Sequence, residues 1–298
     1  MARKKVIFVT FLLFPCLSMI AFFMYNDGLK RNNFKKLPEA NCKQNPPYLV
    51  LLVTTAHDQK KVRMAIRNTW GKERLIHGKR VVTYFLLGTS STPSTEEDPI
   101  SEELNTYKDF IQKDFRDTYY NLTLKTLMGL EWVTQYCPQT HYIMKTDTDM
   151  FVNTFYLVEL LMRKNQTSNL FTGFLKLNDA PIRDVRSKWY ISRKEYDGDK
   201  YPPFCSGTGY VFSVDVAQRI YKISFSVPFF KLEDVYMGMC LDKLNITLQE
   251  LHQKRVFLLS KHTFSVCAFR NLVTLHGVQP QKITLYWDAL QRTQDERC

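Results

Sequence analysis

The chain predicts an α/β fold, a central sheet flanked by helices. Apolar runs of strand length recur between residues 48 and 175, helical stretches separate them, and an aspartate pair closes one of the runs. Residues 48–54 form a continuous apolar run, as expected for a strand covered on both faces, and a helical stretch follows over 59–70. Residues 81–87 read as a second buried strand ended by Gly88, with a polar loop over 90–98. A helix over 122–136, a strand over 142–145, a helix over 154–164 and a strand over 170–175 continue the alternation. In such a sheet, ligands bind beyond the carboxyl ends of the strands.

One strand end carries chemistry. Lys145-Thr-Asp147-Thr-Asp149-Met-Phe151 follows the apolar run His141-Tyr-Ile-Met144. Carboxylates at i and i+2 lie close together in a turn that ends a strand, and they present hard oxygens suited to Mg²⁺ or Mn²⁺ bridging a diphosphate. A solvated turn would show the same pattern.

Residues 6–25 carry no charge, and Arg3-Lys4-Lys5 precede them. About 20 apolar residues suffice for a helix to cross a bilayer, and the run exceeds the usual apolar core of a cleaved signal peptide, about 7–15 residues. It reads as a retained signal anchor: 1–5 a cytoplasmic tail, 6–25 the span, 26–45 a polar, basic stem and 46–298 a lumenal domain, oriented by the basic N-terminal flank. The domain is long enough to bury one large core.

Three sequons, at Asn121, Asn165 and Asn245, fit a lumenal location. Outside the span, Cys42, Cys137, Cys205, Cys240, Cys267 and Cys298 form an even set in a compartment that permits disulfides, and the sequence leaves their connectivity open. No Cys-x-x-Cys or His-Glu-x-x-His spacing points to zinc. The net charge is +12, but the first 43 residues carry eight basic residues against two acids and so supply half of it. No nucleic-acid motif accompanies the remainder, and no nucleic-acid partner is expected. Thr54-Thr-Ala-His-Asp58 lacks the glycines of a dinucleotide turn, and neither a Walker loop nor a Gly-x-Ser-x-Gly elbow occurs. A membrane-anchored lumenal α/β domain with a metal-diphosphate turn points to nucleotide-sugar chemistry.

Further blocks sharpen that direction. Arg63-Met-Ala-Ile-Arg67-Asn-Thr-Trp70, Phe85-Leu-Leu-Gly88, Asp114-Phe-Arg-Asp117-Thr-Tyr119-Tyr-Asn121-Leu-Thr123-Leu-Lys125-Thr126, the aspartate turn, Tyr201-Pro-Pro-Phe-Cys205-Ser-Gly-Thr-Gly209-Tyr210 and Glu233-Asp234-Val-Tyr-Met-Gly238 occur in this order. Together they resemble the β-1,3-glycosyltransferases of glycosyltransferase family 31 over nearly all of the lumenal part. The resemblance implies a GT-A fold with a Rossmann-like sheet, UDP-galactose as donor, Mn²⁺, an acceptor glycan ending in β-linked N-acetylglucosamine, and a Golgi membrane location as a single-pass type II protein. One departure, Asp197-Gly-Asp199 where a more aromatic stretch is expected, falls in an acceptor-side loop.

Transfer from an α-linked donor to a β-linked product inverts the anomeric carbon, which one in-line displacement achieves if a base takes the acceptor proton and a cation neutralises the leaving diphosphate. Asp149 is expected in direct metal contact, with Asp147 second, through water or toward the donor's ribose or sugar. The family comparison adds His276, in Leu275-His-Gly-Val-Gln-Pro280, as a ligand; imidazole with carboxylates suits Mn²⁺. Asp234, opening an expected helix over 234–244, is the expected base, because helix N-terminal N–H groups hold a carboxylate ionised. Capping alone would explain one of the acids Glu233 and Asp234. Arg63, Arg67 and Trp70 share a helical face, so the arginines either meet the donor or buttress the first strand. Asp114 is expected near the nucleotide or in a turn, and Lys145 on the donor side. On the acceptor side stand Trp189, the loop containing Gly207 and Thr208, and Glu233, with a core position the competing expectation for Trp189.

Rival classes are a β-1,3-N-acetylglucosaminyltransferase on the same fold, a lumenal glycosidase using two acids about 5–9.5 Å apart, and a non-catalytic glycan-binding protein.

Overall fold

The computed structural model describes residues 33–90, 100–260, 262–293 and 298. The expected tail 1–5 and span 6–25 lie outside the described residues, as do most of the expected 90–98 loop and residues 26–32 of the stem. Among the described residues no helix is long and apolar enough to cross a membrane.

In chain order the elements are β1 (Phe34–Lys36), β2 (Leu49–Thr54), α1 (Lys60–Asn68), β3 (Arg74–Ile76), β4 (Lys79–Thr89), α2 (Ser101–Tyr107), β5 (Phe110–Arg116), a 3₁₀ turn (Tyr119–Asn121), α3 (Leu122–Tyr136), β6 (Tyr142–Asp147), β7 (Met150–Val152), α4 (Thr154–Lys164), β8 (Phe171–Lys176), β9 (Phe204–Ser213), α5 (Val214–Ser224), α6 (Glu233–Lys243), β10 (Phe257–Leu258), α7 (Val266–Arg270), β11 (Thr274–His276) and α8 (Pro280–Arg292). The main sheet runs β1-β5-β4-β2-β6-β9-β8, with β3 attached to β4. Strands β5, β4, β2 and β6 are mutually parallel; β1 and β9 run against them.

The apolar runs explain the layers. In β2, Leu49, Leu51 and Val53 enter one core with Ile66 and Trp70 of the α1 side and Ile283 and Trp287 of α8. Val50 and Leu52 enter a second core with Leu127, Leu130 and Val133 of α3, together with Ile220 of α5 and Tyr236 of α6. Because successive strand residues point to opposite faces, an unbroken apolar run needs cover on both.

The small sheet β10-β11-β7 is the piece the sequence did not announce. Its β7 is fully buried, and β11 pairs antiparallel with it so that His276 stands opposite Met150. A polar residue more than 120 positions away in sequence is thereby delivered beside the aspartate turn.

Two segments differ from expectation. Residues 33–45 are not a free stem: β1 pairs antiparallel with β5, Lys35 meets Asp114 at 3.2 Å, and Cys42 is disulfide-bonded to Cys137. The apolar Phe34, whose ring lies 5.9 Å from Tyr136, anchors this strap despite its basic neighbours. Strand β4 does not stop at Gly88 but continues to Thr89. Its register with β5 shifts between Leu87 and Thr89, and a Cβ at Gly88 would lie 2.6 Å from the Phe115 carbonyl oxygen. Glycine is required there for close approach, and it bends the strand without ending it. The second disulfide joins Cys267 to Cys298, and Cys205 and Cys240 are buried free thiols.

Replacing Cys42 and Cys137 by serine is expected to lower unfolding stability by about 2–5 kcal/mol. Limited proteolysis should then cut the strap before the domain; unchanged stability would show that the strap contributes nothing.

Candidate active site

Strands β2 and β6 end side by side, with Thr54 opposite Asp147 in register. The Thr54 hydroxyl donates to Asp147 Oδ1 at 2.6 Å, and Lys145 Nζ donates to the same oxygen at 2.8 Å. One carboxylate oxygen of Asp147 is therefore committed to the protein, and the other is left for a ligand. Asp149 is exposed on the turn, and its Oδ2 lies 3.2 Å from His276 Nε2. His276 Nδ1 is 3.3 Å from the Leu259 carbonyl, so the tautomer with Nδ1–H satisfies that contact and leaves the Nε2 lone pair available to a metal ion. Burial lifts the Asp149 carboxyl, and the imidazole outweighs it, holding it below the usual carboxylate range. Among the described residues no group of three His, Cys, Asp or Glu side chains forms a ready-made metal cage. Asp149 and His276 nevertheless fit as two ligands, since atoms bound to one ion at about 2.1 Å and right angles stand about 3 Å apart.

Behind the turn Lys145 is buried. Its Nζ donates to the Gly207 carbonyl at 2.6 Å and lies 3.3 Å from Glu233 Oε2. Burial alone would lower its pKa; Asp147, Glu233 and Asp234 reverse this and raise it above the lysine norm. Glu233 is also buried: its other oxygen accepts the Tyr210 hydroxyl. Burial raises its pKa, and Lys145 works against the rise. With both oxygens turned inward, Glu233 does not face the acceptor, which corrects the expected acceptor-side role.

Asp234 occupies the first turn of α6, which opens at Glu233, one residue before the expected start. Its Oδ2 accepts from Gly207 N at 3.1 Å and its Oδ1 from Val235 N at 2.9 Å. Burial lifts its pKa against these backbone donors, which makes the carboxylate a stronger base than a solvated one. Gly207 and Thr208 lie in β9, not in a loop. The Thr208 carbonyl accepts the Thr146 hydroxyl at 3.0 Å, so the glycine-containing run is sheet, and its lack of bulk lets α6 approach.

The arginine block is scaffolding. Arg63 is fully buried and all five of its N–H groups are used: Nε and Nη2 on Glu103 at 2.8 and 2.7 Å, and the rest on Thr55 Oγ1, the Ala56 carbonyl and the His57 carbonyl. Arg67 bonds Asp109 and Glu103 and lies 4.0 Å over the Tyr107 ring. Arg63 has no donor left for a phosphate and shapes the loop after β2 instead of meeting the donor, while Arg67 spends four of its five N–H groups on Asp109, Glu103 and the Met64 sulfur. Asp114 lies on β5, its side chain 59% exposed and paired with Lys35 of β1.

A galactosyltransferase family profile matches residues 61–252. The chain belongs to the galactosyltransferase family. Beta-1,3-galactosyltransferase 5 of Homo sapiens is 55% identical over 269 residues, covering 90% of this chain and 86% of the relative. The Mus musculus protein of that name is 55% identical over 266 residues, with coverages of 89% and 86%. Beta-1,3-galactosyltransferase 2 of Mus musculus is 44% identical over 260 residues, with coverages of 86% and 62%. These identities make the chain an enzyme of the hexosyltransferase class.

Within the galactosyltransferase-family site, some functional contacts come from residues that sequence reasoning passed over. Lys125, buried on α3, donates to the Thr55 carbonyl at 2.5 Å and to Asp117 Oδ1 at 2.7 Å, while Asp117 Oδ2 accepts from Gly88 N at 2.8 Å. Gln59 Oε1 accepts from Thr55 Oγ1, Ala56 N and Thr148 Oγ1, tying the loop after β2 to the aspartate turn. A lysine in an otherwise apolar helix was the available signal for Lys125; Gln59 offered none.

Trp189 is 46% exposed and not a core residue. Its indole N–H donates to the Tyr119 hydroxyl at 2.9 Å, and burial together with the charge of Asp234 raises the Tyr119 pKa despite that hydrogen bond. In this galactosyltransferase-family chain the Trp189–Tyr119 pair thus lies within electrostatic range of the candidate base. Among the sequons, Asn165 and Asn245 are exposed with left-handed φ of 46° and 53° at helix ends. Asn121 is half-buried and donates to the Arg116 carbonyl at 2.8 Å.

Arg63→Met should cost about 3–5 kcal/mol, because Glu103 would be left buried beside a single arginine. Chemical denaturation measures this; a variant of normal stability with weakened UDP binding would return Arg63 to the donor site.

Proposed function

We propose that the chain is an inverting β-1,3-galactosyltransferase that moves galactose from UDP-galactose to the 3-hydroxyl of a terminal β-linked N-acetylglucosamine on glycoprotein or glycolipid glycans, with Mn²⁺ as cofactor. The observation that carries the reading is the convergence at one sheet end of two different carboxylate environments. Asp149 with His276 is exposed and suited to a metal, and Asp234 is set among backbone donors and suited to a proton.

When bound, Mn²⁺ supplies positive charge to the leaving diphosphate. Asp149 and His276 would hold it, and Asp147, kept in place by Thr54 and Lys145, offers its remaining oxygen to the donor. Asp234 takes the proton of the acceptor hydroxyl while that oxygen attacks the anomeric carbon and the bond to the diphosphate breaks. Trp189 and Tyr119 offer aromatic faces to the acceptor sugar. The galactose donor follows the named relatives, beta-1,3-galactosyltransferases 5 and 2. A single-pass type II location in the Golgi membrane follows from the uncharged run 6–25 behind Arg3-Lys4-Lys5 and is supported by three sequons.

Asp234→Asn is expected to reduce transfer by roughly 10²–10⁴-fold while UDP and Mn²⁺ binding persist. Near-normal turnover rejects the base. In the wild type, EDTA should stop transfer from UDP-galactose to a GlcNAc-terminated acceptor, and Mn²⁺ should restore it; activity that persists in EDTA defeats the metal assignment.

A further inference from the structure

Lys145 was expected to meet the donor, yet its side chain is 1% exposed. An ammonium has three N–H groups, and three protein oxygens surround this one: Asp147 Oδ1 at 2.8 Å, the Gly207 carbonyl at 2.6 Å and Glu233 Oε2 at 3.3 Å. None is left for a substrate. The three partners belong to different parts of the site. Asp147 belongs to the donor turn, Glu233 is the neighbour of the candidate base, and Gly207 donates its own N–H to Asp234 Oδ2 at 3.1 Å. Glu233 cannot drift away from this arrangement, because the buried Tyr210 hydroxyl holds its other oxygen.

We propose that Lys145 is a positioning residue for the transfer step: through Gly207 it fixes the carboxylate oxygen of Asp234 that receives the acceptor proton, and through Asp147 it couples that oxygen to the turn that takes the donor. The inference rests on Asp234 being the base. It differs from a donor-binding role in what it moves. A donor contact raises the KM for UDP-galactose, whereas loss of alignment at the base lowers kcat with both substrates saturating. Gly207 is the second element of the same bridge. A Cβ there would stand 3.3 Å from Glu233 Oε2, a tight contact, and 3.5 Å from Asp234 Oδ2, so added bulk presses on Glu233 and fills the space against Asp234 while Lys145 stays in place.

The test compares Lys145→Met, Gly207→Ala and the double variant in the full chain, with kcat at saturating UDP-galactose and GlcNAc-terminated acceptor, UDP affinity by calorimetry, and thermal unfolding. Each single variant should lose kcat on the order of 10²-fold with UDP affinity nearly unchanged. The double variant should be no worse than the poorer single, since both act through one backbone segment. Normal kcat with weakened UDP binding in Lys145→Met overturns the proposal, as do losses that multiply in the double variant. Should Lys145→Met fail to fold, Gly207→Ala decides alone: a lowered kcat with intact UDP binding supports the bridge, and an unchanged kcat rejects it. If Asp234→Asn is active, the base assignment fails; if that variant is inactive while Lys145→Met turns over normally, only the bridge fails.

Discussion

The ammonium of Lys145 is the constraint on which the site depends. A buried lysine is costly unless paired, and this one is surrounded by the carboxylates of Asp147, Glu233 and Asp234. The dependence is mutual. Glu233 is buried on α6 with Lys145 as its counter-ion, and Asp147 has one oxygen pinned by the same charge. Strand β6 and helix α6 are thus held together by one ammonium shared among several acids, with Asp149 just beyond the end of β6 and Asp234 in the first turn of α6. Removing the cation leaves these acids repelling one another.

A second layer of support lies outside this cluster. The loop after β2 has no glycines, so it cannot wrap a phosphate with bare backbone as a dinucleotide turn does. It is shaped from behind: Arg63 and Lys125 take its carbonyls, and Gln59 takes its amide and hydroxyl. Carbonyl oxygens turned toward buried cations leave the opposite side of the loop free to face the strand ends. The same motif that looks from sequence like an anion site is, in three dimensions, a set of cations spent on carbonyls and on Glu103 and Asp109.

The legible part of the fold was the part written in apolar runs. Strands β2, β4, β6 and β8 and helices α3 and α4 are readable because a sheet covered on both faces demands continuous hydrophobic residues. Strand β5, Phe-Ile-Gln-Lys-Asp-Phe-Arg, hides its pattern because Gln112 and Lys113 are buried by specific partners, the Gly88 carbonyl and Glu131. Strand β9 hides because Ser206, Gly207, Thr208 and Gly209 read as a loop, when small residues there serve the approach of α6. Of the site, the aspartate turn and Asp234 were visible as residue types at strand and helix ends. Lys145, Glu233 and the arginines were visible as charges, but sequence does not say whether a charge faces solvent, a ligand or another charge.

His276 shows why long-range register decides a site. Nothing local marks it: it ends a three-residue strand, and Gly277 follows with a positive φ of 76°. Its place beside Asp149 follows from β11 pairing with β7, which in turn follows from the burial of Met150, Phe151 and Val152 immediately after the turn. Phe151 packs against Phe269 and Tyr286, so the aromatic core beneath the small sheet sets the height at which the imidazole meets the carboxylate. A one-residue slip of β11 would turn His276 to the other face and replace it with Leu275 or Gly277, neither of which can ligate through its side chain. The meeting of His276 with Asp149, on which the proposed metal site relies, is therefore inherited from hydrophobic packing behind the turn, and the apolar residues that follow Asp149 are as much part of that arrangement as the acid itself.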